Sequence, residues 1–144
     1  MTDLKNGIIK INGFEINKDT TPLEINNELP SIIKNHVHID DGEIDLFRFS
    51  KIKILDRYFN IKTYFVSGKL SQIRLDSLNE DCASFETLYK RDCEWIKTIL
   101  GEASILGKNG VVYAFDKFQI SVTYHPNDGR CGTDEFIKLH YERG

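Results

Sequence analysis

The stretch YFNIKTYFVSGKLSQIRL, residues 58–75, decides the fold. Phe59, Ile61, Thr63 and Phe65 fall on one side of an extended chain; Tyr58, Asn60, Lys62 and Tyr64 fall on the other. Such alternation belongs to a strand that is packed on one face and wet on the other. Ser67-Gly68 supplies a tight turn, after which Ile73 and Leu75 resume the apolar side. The stretch therefore predicts two antiparallel neighbours of one sheet.

The pattern repeats outward from this hairpin. Upstream, Ile52 and Ile54 alternate with lysines before a turn near Asp56-Arg57. Downstream, VVYAF (111–115) and FQISVTY (118–124) join across Asp116-Lys117, and FIKLHY (136–141) follows a turn-rich HPNDGRCG loop. Near the start, IIKINGFEI (8–16) breaks at Asn12-Gly13 into a short hairpin. TPLE (21–24) places Thr21 as N-cap, Pro22 at the first helical position and Glu24 at the third, a capping box opening a short helix. Between residues 31 and 47 the apolar residues keep no period, although Asp41-Gly42 signals a turn between His36–Ile39 and Ile44–Phe47.

One long helix interrupts the strands. From Ser84 to Leu100, Phe85, Leu88, Tyr89, Cys93, Trp95, Ile96, Ile99 and Leu100 share one arc, and Gly101 stops the helix. The fold class expected is α+β: an antiparallel sheet of five to seven strands, one long amphipathic helix on one face, and a short N-terminal helix. With 144 residues and 40% apolar content, the chain reads as a single domain, 1–144, able to bury roughly two-thirds of its surface.

Charge narrows the function classes. Nineteen bases stand against 22 acids, a net charge of −3, and neither half of the chain is basic. A nucleic-acid partner is not expected. The N-terminus lacks an apolar leader and no apolar run reaches the ~20 residues of a membrane span, so no membrane partner is expected either. Cys82, Cys93 and Cys131 are odd in number and show no C-x-x-C spacing, which fits a reducing cytoplasm.

Catalytic motifs are missing: there is no G-x-S-x-G, H-E-x-x-H, P-loop or G-x-G-x-x-G. Three features remain. Asp92 lies inside the apolar helix arc, flanked by Leu88, Trp95 and Ile99. It must be paired, hydrogen-bonded or protonated. Either it bonds a backbone N–H or a sheet arginine such as Arg74, or it lines a pocket with Trp95 as an acid of raised pKa. His36 and His38, spaced i, i+2, project to one face of a strand, with Asp40 and Asp41 next as oxygen donors. No third nitrogen or sulfur ligand stands near them, so the reading is two exposed or capping histidines, without metal or other cofactor. Asp40, Asp41, Glu43 and Asp45 form the densest charge cluster, suited to a basic partner. The uncovered sheet face, with Lys62, Tyr64, Arg74, Lys138 and His140, offers a second surface.

The order of TPLE, YFNIKTYF, GKLSQIRL, WIKTILG and IKLHY over residues 20–141 resembles small bacterial immunity proteins of polymorphic and contact-dependent toxin systems. The resemblance implies a non-catalytic cytoplasmic protein that binds and occludes one cognate toxin domain. Residues Asp40, Asp41, Glu43 and Asp45 are then the expected contact. Two other classes compete: a small-ligand-binding or enzymatic domain with its pocket at Asp92 and Trp95, and a homo-oligomer that buries the open sheet face.

Overall fold

A computed structural model describes residues 2–33, 35–39, 43–79, 81–126 and 134–142. A 3-10 turn, Leu4–Asn6, leads into the hairpin β1 (Ile9–Ile11) and β2 (Phe14–Ile16). Its turn residues Asn12 and Gly13 both have positive φ, 48° and 86°, the backbone that the Asn-Gly pair favours. Helix α1 (Pro22–Glu28) starts as its sequence dictates: the Thr21 hydroxyl accepts from the Glu24 N–H, and the Glu24 carboxylate accepts from the Thr21 N–H.

Eight strands build the main sheet: β3 (Asn35–Ile39), β4 (Ile44–Ile54), β5 (Arg57–Val66), β6 (Lys69–Ser77), β7 (Ile105–Leu106), β8 (Gly110–Phe115), β9 (Phe118–His125) and β10 (Asp134–Tyr141). Helix α2 (Phe85–Leu100) lies between β6 and β7 in the chain, capped by the Ser84 hydroxyl and ended at Gly101. Spatial order is β3-β4-β5-β6-β10-β9-β8-β7, and every neighbouring pair is antiparallel. The fold is α+β with antiparallel sheets.

The sheet has eight strands against the five to seven expected, and two of its features escape a reading by alternation. Strand β7 has only two residues, too few to carry a period. Strand β4 hides its continuity behind a bulge between Phe49 and Ile52, where Lys51 takes φ 53° and its N–H donates to Asn60 Oδ1. The bulge changes the phase of alternation, so inward positions pass from Phe47 and Phe49 to Ile52 and Ile54.

Cross-strand register assigns the faces. Phe47, Phe49, Phe59, Ile61, Phe65, Ile73, Leu75, Ile120, Val122, Ile137 and Leu139 point to one side and are essentially inaccessible. Helix α2 packs there through Trp95 and Ile96, and the N-terminal segment adds Leu4, Ile9, Ile11, Ile16, Ile25 and Leu29 to the same core. No described helix lies over the opposite face. Among the described residues no helix is long and apolar enough to cross a membrane.

The N-terminal segment is fastened to the end of β10. Tyr141 Oη donates to the Gly7 carbonyl at 2.7 Å across 134 positions of sequence, within the core. Gly7 has φ 68°, and a Cβ there would meet the Tyr141 ring at 3.2 Å, so both backbone and space call for glycine. Tyr141→Phe strands a buried carbonyl and should cost about 1–3 kcal/mol in urea unfolding. An unchanged midpoint would show that this bond does not hold the segment in place.

Candidate functional site

Asp92 is 0% exposed on the helix face that meets the sheet. Its Oδ1 accepts from Ser77 Oγ at 2.7 Å and pairs with Arg57 Nη2 at 2.8 Å. Arg57 also donates to Ser77 Oγ at 2.9 Å and lies over the rings of Phe59 and Trp95, 5.4 and 5.3 Å from their centroids. The arginine is therefore Arg57. Arg74 cannot reach Asp92, because it follows Ile73 and precedes Leu75 and so belongs to the opposite face.

A second acid completes the cluster. Glu135, on β10, is buried, and burial pushes its carboxyl up to about 10; hydrogen bonding to Asp92 and the charges of Asp92 and Asp76 add to the rise, while Arg57 opposes it. Two carboxyl groups in one dry site share a proton in preference to carrying two charges. Held by Glu135, that proton bonds the pair, and Arg57 balances the remaining charge. The cluster is extended by the Trp95 indole, whose N–H donates to Asp56 Oδ1 at 2.7 Å and holds that carboxyl below its ordinary range. Burial likewise pushes the Tyr89 phenol, stacked on Tyr124, up to about 12. Asp92 and Trp95 are thus close neighbours packed against protein.

Two clefts lie elsewhere. One of about 610 Å³ opens between Lys18, Thr21, Lys69 and Tyr141. Another of about 540 Å³ opens between Lys5, Phe118 and the same tyrosine. Neither includes Asp92 or Trp95.

The acidic segment is divided. Asp40 and Asp41 lie outside the described residues, as does Cys131. Glu43 is exposed and accepts from Ser67 Oγ at 3.3 Å. Asp45 points to the inner side of the sheet and serves the histidines. In the β3–β4 register His36 opposes Phe47 and His38 opposes Asp45. Asp45 Oδ1 accepts from His36 Nε2 and from His38 Nδ1, each at 2.9 Å. Cys82 and Cys93 are free thiols, the first exposed and the second half-buried.

On the open face the register aligns four cations. Arg48 opposes Lys62, Lys62 opposes Arg74, and Arg74 opposes Lys138, across β4, β5, β6 and β10. Arg74 pairs with Asp76 at 3.0 Å and sits over the Phe136 ring at 4.1 Å. Tyr64, Gln72, His140 and Gln119 form the next row. Residues Glu135, Arg57 and Ser77 were recoverable from alternation alone: each stands two positions before or after an inward apolar residue of its strand.

No family model, curated protein or solved structure matches the chain.

Two measurements check the cluster. Glu135 binds its proton more tightly folded than unfolded, where the ordinary value is 4.5. Its contribution is therefore complete below that value and is lost as pH rises toward about 10. Stability should fall by on the order of 1 kcal/mol per pH unit at most within this window. Glu135→Gln should flatten the slope; a slope unchanged by the substitution would remove the shared proton. Asp92→Asn, by leaving Arg57 uncompensated, should cost about 3–5 kcal/mol.

Proposed function

We propose that the chain is a non-catalytic protein-binding module that docks an acidic protein surface onto its open sheet face. The observation that carries this reading is the row Arg48, Lys62, Arg74 and Lys138. Like charges directly opposite one another on adjacent strands destabilise a sheet. Asp76 offsets Arg74 within the row, and the like charges of Arg48, Lys62 and Lys138 around it set the free protein at a disadvantage that an acidic partner reverses. Tyr64 and Phe136 beside the row supply the aromatic contact area common at the centre of protein interfaces.

The immunity-type reading fits this surface with one change from the sequence expectation. The contact moves from the acidic segment to the basic row, so the toxin domain it occludes presents acidic groups around its site. Inhibition is steric, and charge complementarity supplies the fast association that such a role needs. A nucleic acid suits the row less well, because neither half of the chain carries the basic excess that tracks an extended phosphate backbone, whereas a short row of cations matches a local acidic patch.

The test is a search of the gene neighbourhood for a toxin domain and co-expression of the chain with it, with growth and affinity as readouts. Lys62→Glu/Lys138→Glu should abolish protection and weaken binding by roughly a hundredfold, as loss of two close charge pairs does. Glu43→Lys should leave both unchanged. Protection lost in Asp41→Lys/Glu43→Lys and kept in the lysine pair would overturn the assignment in favour of the acidic hairpin. Oligonucleotide binding by the wild-type chain, abolished by the lysine substitutions, would overturn the protein partner itself.

A further inference from the structure

The geometry points to a divalent transition-metal site on the sheet edge, formed by His36 Nε2, His38 Nδ1 and Asp45 Oδ1, with Zn²⁺ the best-matched ion. This inference is independent of the docking face, which lies on the other side of the sheet.

Three ligand atoms converge there within 4.8 Å of one another. Sequence alone leaves this incomplete, since H-x-H supplies two nitrogens and no partner. Antiparallel pairing supplies the third: His38 faces Asp45 directly, and His36 reaches the same oxygen from one position further along the same face. A tetrahedral zinc with bonds near 2.0–2.1 Å holds its ligands about 3.3 Å apart. The two N···O separations, 2.9 Å each, fall just inside that spacing, so small side-chain rotations admit the ion.

Charge and chemistry agree with the spacing. Two neutral imidazoles and one carboxylate present a single negative charge, and the mixed nitrogen–oxygen set suits zinc or its first-row neighbours. Calcium and magnesium prefer oxygen alone. Without a cation, both imidazoles must direct N–H groups at one oxygen; with a cation, their lone pairs and that oxygen all point at it.

The ligands are also held in place. The His36 ring stacks on Phe47 with centroids 4.0 Å apart and planes 13° from parallel, and Phe47 packs edge-on against Phe65 in the core. Exposure is graded across the site: Asp45 is 14% exposed, His36 23% and His38 63%. One side therefore faces protein and the other solvent. Three protein ligands and an open side describe a site that keeps a position for water or for a donor from a bound molecule. The ion would also tie the edge strand β3 to β4 through side chains.

The experiment uses the untagged chain, stripped with chelator and titrated with ZnCl₂ by calorimetry and with CoCl₂ by visible absorption. One equivalent of each metal should bind, and Co²⁺ should give the intense absorption of a tetrahedral site. The unfolding midpoint should rise with zinc concentration. His38→Gln, at the most exposed ligand, should weaken zinc binding by roughly tenfold or more without loss of fold, as should Asp45→Asn. His125→Gln should have no effect. Zinc-dependent shifts of the His36 and His38 imidazole ¹⁵N resonances in the wild-type chain provide a readout that needs no variant. Failure of the wild-type chain to bind micromolar zinc, or undiminished binding by His36→Gln/His38→Gln, would overturn the site.

Discussion

Register is the constraint on which the rest of the structure depends. Side chains in a strand alternate with a period of two, so a slip of one residue exchanges the faces entirely. In this sheet such a slip in β5 would drive Lys62 and Tyr64 into the core and carry Phe59, Ile61 and Phe65 into water. The same bookkeeping of faces keeps Arg57, Ser77 and Glu135 under α2 with Asp92, aligns Arg48, Lys62, Arg74 and Lys138 outside, and sets Asp45 opposite His38. Three chemically different sites thus derive from one geometric rule.

The buried cluster reinforces that rule. An apolar core tolerates rearrangement, because most hydrophobic contacts are interchangeable. The Arg57–Ser77–Asp92 bonds are not, since they require particular atoms from β5, β6 and α2 to meet. Buried ion pairs add little net stability over well-packed apolar groups, but alternatives that leave one member unpaired are expensive. In this chain the cluster disfavours any packing in which α2 is rotated or shifted along the sheet.

Most of the fold was legible because its elements carry their own signals. The Thr21 cap, the Gly101 stop, the Asn12-Gly13 turn and the alternation in β5, β6, β9 and β10 are local properties that tertiary context left intact. What escaped was of two kinds. The phase change at Lys51 split β4 into two apparent pieces, and β7 was too short to show a pattern. The sites were less legible for a different reason. Asp92 stood out against its helix, whereas Asp45 was grouped with its sequence neighbours as surface charge. Only pairing across the hairpin turns Asp45 inward to the histidines, and periodicity within one strand carries no information about its partner.

The position of β10 has a kinetic meaning. This strand is synthesised after its seven sheet partners, yet it lies between β6 and β9 at the middle of the sheet. Without it the sheet would fall into two ribbons, β3 to β6 and β7 to β9, each with a bare hydrogen-bonding edge. Such late, non-local closure makes folding slow and leaves a window for aggregation. The burden falls on residues 134–141, whose eight register pairs with β9 and four with β6 join the halves.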